Sequence, residues 1–140
     1  MSLYMTKSER EAFLAEMHIG VFSIADGENG PLSAPIWYLY EPGGDLQVSF
    51  GRGSHKARLI AEGTRVSLVA QTEAAPYKYV SVEGVVTSAG PATDEDFTLR
   101  LATRYLGEEQ GRQYASGGNT DSIVATVRIE RWMTTDYSKR

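Results

Sequence analysis

From Ser122 to Met133 the chain places Ile123, Ala125, Val127 and Ile129 at every second position, with Thr126, Arg128 and Glu130 between them. Only an extended strand puts alternate residues on one face, so this run predicts a half-buried strand. The same period recurs upstream. Leu46, Val48 and Phe50 share one face of 45–50, and Ile19–Ala25, Leu32–Tyr40, Thr64–Thr72 and Lys78–Ser88 are further strand candidates rich in β-formers. Turn chemistry separates them: Asp26-Gly27-Glu28-Asn29-Gly30, Glu41-Pro42-Gly43-Gly44, and a loop around Pro76. Six strands in 140 residues favour a closed or nearly closed barrel, which hides its sheet edges. The expected class is mainly β (α+β), a six-stranded antiparallel barrel with short flanking helices in one domain, 1–140; a two-layer α+β sandwich is the alternative.

The helical signals are few and short. Thr6-Lys7-Ser8-Glu9 has the capping-box form and precedes Phe13, Leu14 and Met17, which predicts a helix over 6–17. Ser54 is a good cap for a helix over 54–62 that ends at Gly63. Thr93-Asp94-Glu95-Asp96 opens a third, with Phe97, Leu101 and Tyr105 one turn apart, and a fourth covers 108–115. Residues 116–121, rich in glycine and polar side chains, have no periodicity and read as a flexible connection.

Composition removes several chemistries. Without cysteine there is no disulfide, thiolate nucleophile or zinc-thiolate site, and His18 and His55 alone cannot build a multi-histidine metal centre. A net charge of −4 argues against nucleic acid or an anionic membrane as main partner. No apolar run has the length of a membrane span or the form of a signal peptide, so the expected location is the cytoplasm. No Gly-x-Ser-x-Gly elbow accompanies the serines, which disfavours hydrolase chemistry.

One segment stands out for chemistry. Phe50-Gly51-Arg52-Gly53-Ser54-His55-Lys56-Ala57-Arg58 runs from a strand through glycines into a helix start, bringing two or three cations and a hydroxyl to one turn. It reads either as a phosphate cradle or as an ordinary connection with solvated charges. The stretch Ser33-Ala34-Pro35-Ile36-Trp37-Tyr38 is the second candidate, since a proline in an apolar strand marks an edge or an opening in the ladder. Trp37 there is either a wall for a flat ring or core filling, and Tyr38 favours the core. Glu83 reads as a face residue paired with a base, His18 as a helix-end residue near carbonyls, and Arg100, Arg104 and Arg112 as solvated cations or a dock for an anionic tail.

Taken in order, these segments resemble the split β-barrel flavin and deazaflavin oxidoreductases related to pyridoxamine 5′-phosphate oxidase. The carriers are Ile19-Gly20-Val21-Phe22-Ser23-Ile24, the Ser33–Tyr38 strand, Ser54-His55-Lys56, Arg65-Val66-Ser67-Leu68, Tyr79-Val80-Ser81-Val82-Glu83-Gly84 and Glu130-Arg131-Trp132. The resemblance covers nearly the whole chain. It implies a homodimer with a cofactor in each interface cleft, its phosphate on the turn and its ring against the second and third strands. Ser54 and Lys56 match the family's phosphate ligands, Trp132 its aromatic that closes over the cofactor, and Pro35, Ile36, Trp37, Arg52 and His55 complete the expected site.

The family's FMN-using oxidase branch carries an arginine immediately before that lysine and two basic residues on the second strand. Here the positions read His55 and the uncharged Ala34–Leu39 stretch. FMN ends in a phosphomonoester with nearly two negative charges, as phosphate esters do near neutral pH. The deazaflavin coenzyme F420 presents a singly charged phosphodiester, which fewer cations can hold. The expectation is therefore an F420-dependent oxidoreductase passing a hydride to a small organic acceptor. FMN is the alternative cofactor, and a non-catalytic carrier of a flavin, deazaflavin or tetrapyrrole, or an interaction module with a degenerate pocket, are the alternative functions. No catalytic residue is assigned.

Overall fold

The computed structural model describes residues 2–117 and 121–140; part of the connection read as flexible lies outside these. Thr6 opens helix α1 (Lys7–Ala15) with the expected reciprocal cap: its hydroxyl accepts from the Glu9 N–H, and the Glu9 carboxylate accepts from the Thr6 N–H at 2.8 Å. Lys139 donates to the same carboxylate at 2.7 Å; that bond first, then the one from Thr6, holds the Glu9 carboxyl at about 2. Two segments far apart in sequence are thus joined at one helix end.

The remaining elements are β1 (Gly20–Asp26), β2 (Asn29–Ile36), β3 (Tyr38–Tyr40), β4 (Leu46–Gly51), α2 (His55–Leu59), β5 (Arg65–Gln71), β6 (Lys78–Pro91), α3 (Glu95–Leu106), α4 (Glu108–Ser116) and β7 (Ser122–Asp136), followed by a 3-10 turn at Tyr137–Lys139. The strands form one antiparallel sheet in the order β2-β1-β5-β6-β7-β4-β3. Its two edge strands, β2 and β3, are consecutive in the chain and separated by Trp37 alone, so the sheet curls until its edges come near each other. Phe22 of β1 and Phe50 of β4 accordingly meet at 6.1 Å between ring centroids, although three strands lie between theirs in the sheet. The inward faces build one core around Phe22, Ile24, Tyr38, Leu46, Val48, Leu68, Val80, Val82 and Val127, and α1 adds Phe13 and Leu14 to it.

The expected six-stranded barrel is corrected in one respect. Leu32–Tyr40 is not one strand: it breaks at Trp37, so among the described residues the sheet has seven strands and no ladder closes it. Before the break β2 pairs with β1; after it β3 pairs with β4. A single residue carries the chain from one ladder to the other, which leaves the barrel split. The second helix is also shorter than expected, since Ile60 is already extended at φ −89° and ψ 136°. Among the described residues no helix is long and apolar enough to cross a membrane.

The long β6–β7 pair carries the curvature, with irregular register between Glu83 and Gly84 and again between Val86 and Ser88. At the first of these Gly84 is required by close approach: a Cβ there would fall on the Arg128 carbonyl oxygen, well inside contact distance. Because the obstacle is backbone, relief needs a shift of the strand. Gly84→Ala should lower the unfolding free energy by about 1–3 kcal/mol, the range of overpacked core changes. Urea denaturation checks this, and a wild-type midpoint would show that the bulge relaxes without cost.

Candidate functional site

The turn after β4 is held by its own backbone and side chains. The Ser54 N–H donates to the Gly51 carbonyl at 3.0 Å, and the Ser54 hydroxyl donates to the same oxygen at 2.7 Å while accepting from the Ala57 N–H. Its proton is therefore engaged inside the turn, which leaves only the oxygen lone pairs for other donors. The Arg52 N–H donates to the Asp121 carbonyl, and the Arg52 guanidinium pairs with the Asp121 carboxylate at 3.1 Å, tying the turn to the start of β7.

His55 faces away from that pair and toward the end of β1. Its Nε2 lies 3.0 Å from Asp26 Oδ2, and the Arg58 guanidinium lies 3.2 Å from its Nδ1. An arginine only donates, so Nδ1 is the accepting nitrogen and Nε2–H points at the carboxylate. Lys56 differs from its neighbours. Its Nζ sits 5.9 Å from the centroid of the Phe50 ring, and it has no carboxylate partner among the described residues. It is the cation of this turn left available to an external anion.

Across the split, β2 approaches β4 and α2 packs between β1 and β4. Tyr38 pairs with Val48, so one residue back in that register Trp37 comes opposite Ser49, two positions before the turn. Pro35 is exposed on the edge strand opposite Val21, whereas Ile36 is only 7 % exposed and belongs to the core. The Trp37 indole is stacked on Tyr105 at 5.0 Å and 7° and tilted against Tyr114 at 5.7 Å. Part of its surface is thus covered by the α3–α4 pair. At the break the Tyr38 N–H donates to the Tyr105 hydroxyl at 3.1 Å, which in turn donates to the His18 carbonyl at 2.7 Å.

Seven of the eight expected residues therefore surround the split, four on the turn and three at the strand break. Trp132 stands apart. It pairs with Val82 eight residues beyond Val124, which is about 26 Å along an extended strand. There it packs edge-on against Tyr40 at 6.0 Å, beneath the Arg10 guanidinium at 4.7 Å.

Several side chains have roles their sequence positions did not reveal. Arg104 is neither solvated nor available to a tail: it donates to the carbonyls of Leu14, Ala15 and Glu16 and lies over the rings of Tyr38 and Tyr105 at 4.7 and 5.4 Å. It caps the C-terminus of α1 from a distant helix. The buried Tyr38 hydroxyl donates to the Leu14 carbonyl at 2.7 Å, and burial pushes its pKa well above the ordinary tyrosine value. Arg100 and Arg112 pair with Asp96 and Glu108 one turn away. His18 stacks on Phe13 at 4.4 Å, and it is its own carbonyl that is used. Glu83 lies 3.9 Å from Arg131, as a face residue with a base beside it.

Two cavities flank these elements. One of about 410 Å³ is lined by Ser23, Pro31, Ser33, Arg65, Ser67 and Glu83 on the outward face of the sheet. A larger one, about 670 Å³, lies between the end of β6 and the α3–α4 pair, with Thr93, Asp94, Leu99 and Arg112 in its wall. Neither is lined by the turn or by Trp37. Tyr105→Phe should cost about 1–3 kcal/mol of stability, since it leaves the Tyr38 N–H and the His18 carbonyl short of a partner. Faster amide exchange at Tyr38 would accompany it, and unchanged exchange would mean that water replaces the hydroxyl.

The family model described as pyridoxamine 5′-phosphate oxidase matches residues 6–136. Among curated protein sequences none matches the chain. Solved structures share the fold at low identity. An F420 reductase superposes with a TM-score of 0.71 at 22 % identity, covering 88 % of this chain and 94 % of its own. A conserved hypothetical protein from Mycobacterium tuberculosis gives 0.75 at 18 %, covering 99 % and 90 %. The FAD binding protein from Mycobacterium smegmatis gives 0.60 at 14 %, covering 93 % and 95 %.

Proposed function

The chain belongs to the pyridoxamine 5′-phosphate oxidase family, and we propose that it is an oxidoreductase that uses coenzyme F420, with FMN as the alternative cofactor. The observation that carries the reading is the charge state of the turn. Lys56 is its one cation without a carboxylate or imidazole partner among the described residues, since Arg52 is held by Asp121 and Arg58 by His55. A single available cation suits a singly charged phosphodiester better than a doubly charged phosphomonoester. The F420 reductase among the structural neighbours supports this order, and the FAD binding protein supports the wider flavin class.

In this reading Lys56 holds the phosphate, and the glycines at 51 and 53 leave room for it to approach the backbone. Pro35 and the partly covered Trp37 border the ring. When bound, the cofactor supplies the hydride, which an electrophilic C=C or C=N acceptor receives. The protein's part is to orient the two and exclude water, which fits a site without a converging acid–base set. An alternative is a carrier that binds the same cofactor without turnover.

A second copy of the chain would complete the open split. The row Pro35–Val21–Val69–Ser81–Met133 runs across five strands on the outward face, with Val21 40 % and Met133 47 % exposed. We assign this row to a homodimer interface. Met133→Glu should convert the dimer to monomer in light scattering; a protein that is already monomeric at micromolar concentration would exclude the assignment.

Titration with F420 and with FMN tests the cofactor order, and tighter FMN binding would reverse it. Lys56→Ala should weaken binding by about 1–3 kcal/mol, the loss of one charge-assisted hydrogen bond. Oxidation of the reduced cofactor by a panel of enones, quinones and tetrapyrroles then separates an enzyme from a carrier.

A further inference from the structure

Asp26 has no part in the fold's core and no role in the reading above, yet its position is specific. The β1–β2 register is irregular between Ile24 and Asp26, and Asp26, paired with Asn29 beyond that irregularity, sets its carboxylate against His55 of α2. Asp26 is the more sheltered partner of its pair, 20 % exposed against 47 % for His55. The imidazole links it to Arg58, with Nε2–H toward the carboxylate and Nδ1 toward the guanidinium. Across this ring the Asp26 carboxylate therefore faces the charge of Arg58.

The other charges facing this turn are Arg52 and Asp121, which pair with each other, and Lys56. With Arg58 set against Asp26 and Arg52 against Asp121, a single formal positive charge remains. Replacing the carboxylate would leave two.

We propose that Asp26 is a specificity-determining residue of the phosphate turn: its carboxylate, acting through His55 on Arg58, lowers the turn's net charge so that a singly charged phosphodiester is favoured over a doubly charged phosphomonoester. The proposal rests on the cofactor reading above and deepens it. It also gives the histidine at position 55 a reason, because an imidazole can receive a proton-donating arginine on one side and face a carboxylate on the other, which an arginine there cannot do.

The test compares ligands with the same ring and different charge: riboflavin, riboflavin 5′-methyl phosphate, which is a singly charged diester, and FMN. Fluorescence titrations with the wild type and Asp26→Asn should show the preference shifting toward FMN by roughly fivefold, as one unit charge acting at several ångströms near a protein surface would produce. Riboflavin affinity stays unchanged, the shift shrinks with added salt, and Asp26→Glu keeps the wild-type order. Equal changes for the diester and the monoester, or none, would overturn the role of Asp26 while leaving the cofactor reading intact. Failure of the wild type to bind F420 or any phosphorylated flavin would overturn the reading itself, and Asp26 with it.

Discussion

The structure depends on one break in hydrogen bonding. A curled sheet whose edge strands follow each other in sequence must pass from one edge to the other, and here a single residue, Trp37, makes the passage. Backbone groups released from a ladder in a half-buried setting cost free energy unless they find partners. Tyr105 supplies the Tyr38 N–H with its partner and anchors the same hydroxyl on the His18 carbonyl. Arg104, one residue earlier, covers the last carbonyls of α1 and lies over the rings of Tyr38 and Tyr105. One turn of α3 thus holds the strand break, the end of α1 and the segment leading into β1 in fixed relation.

That arrangement determines what the split can present. With the Tyr38 N–H already paired on Tyr105, the junction presents the partly covered Trp37 ring. The polar contribution has to come from the turn after β4, which the register brings alongside. There too most groups are engaged: the Ser54 hydroxyl proton on Gly51, Arg52 on Asp121, Arg58 on His55. Among the described residues of the turn only Lys56 has neither a carboxylate nor an imidazole partner, so in the proposed reading recognition rests on one point charge and close backbone approach, which suits a ligand held mainly by its flat apolar part.

The period-two pattern in the sequence was strong enough to locate the strands, because inward residues such as Leu46, Val48 and Phe50 alternate with polar ones along half-buried sheet. Pro35 did mark an edge or an opening in the ladder, but that the run becomes two strands serving different ladders at Trp37 was not legible, since the residues on both sides are apolar. Nor was the role of Arg104, whose acceptors lie almost ninety residues earlier in the chain. The turn was found from its own glycines and cations, whereas Asp26 was hidden by a correct reading. The Asp-Gly at 26–27 does mark a hairpin turn, with Gly27 at φ +57°, and a residue explained by backbone chemistry invites no second explanation. Its side-chain role becomes visible only once α2 is seen against the end of β1.

The proposed need for a second copy follows from the same geometry. A barrel split along one seam exposes that seam on one side only, and a large ring laid there would keep a face in water. Solvent at that face would weaken electrostatic control of a hydride acceptor and compete for reactive groups. Closure could come from a longer loop, a mobile helix pair or a second copy. The α3–α4 pair is committed to Trp37 through Tyr105 and Tyr114 and packs tightly on itself, with Gly111 against the Thr103 backbone, so it is not free to swing over the seam without losing those contacts. The loops bordering the split are short. In the homodimer proposed above, a second copy seated on the row from Pro35 to Met133 would supply a wall while leaving the α3–α4 contacts intact, and the row begins at Pro35, on the seam itself.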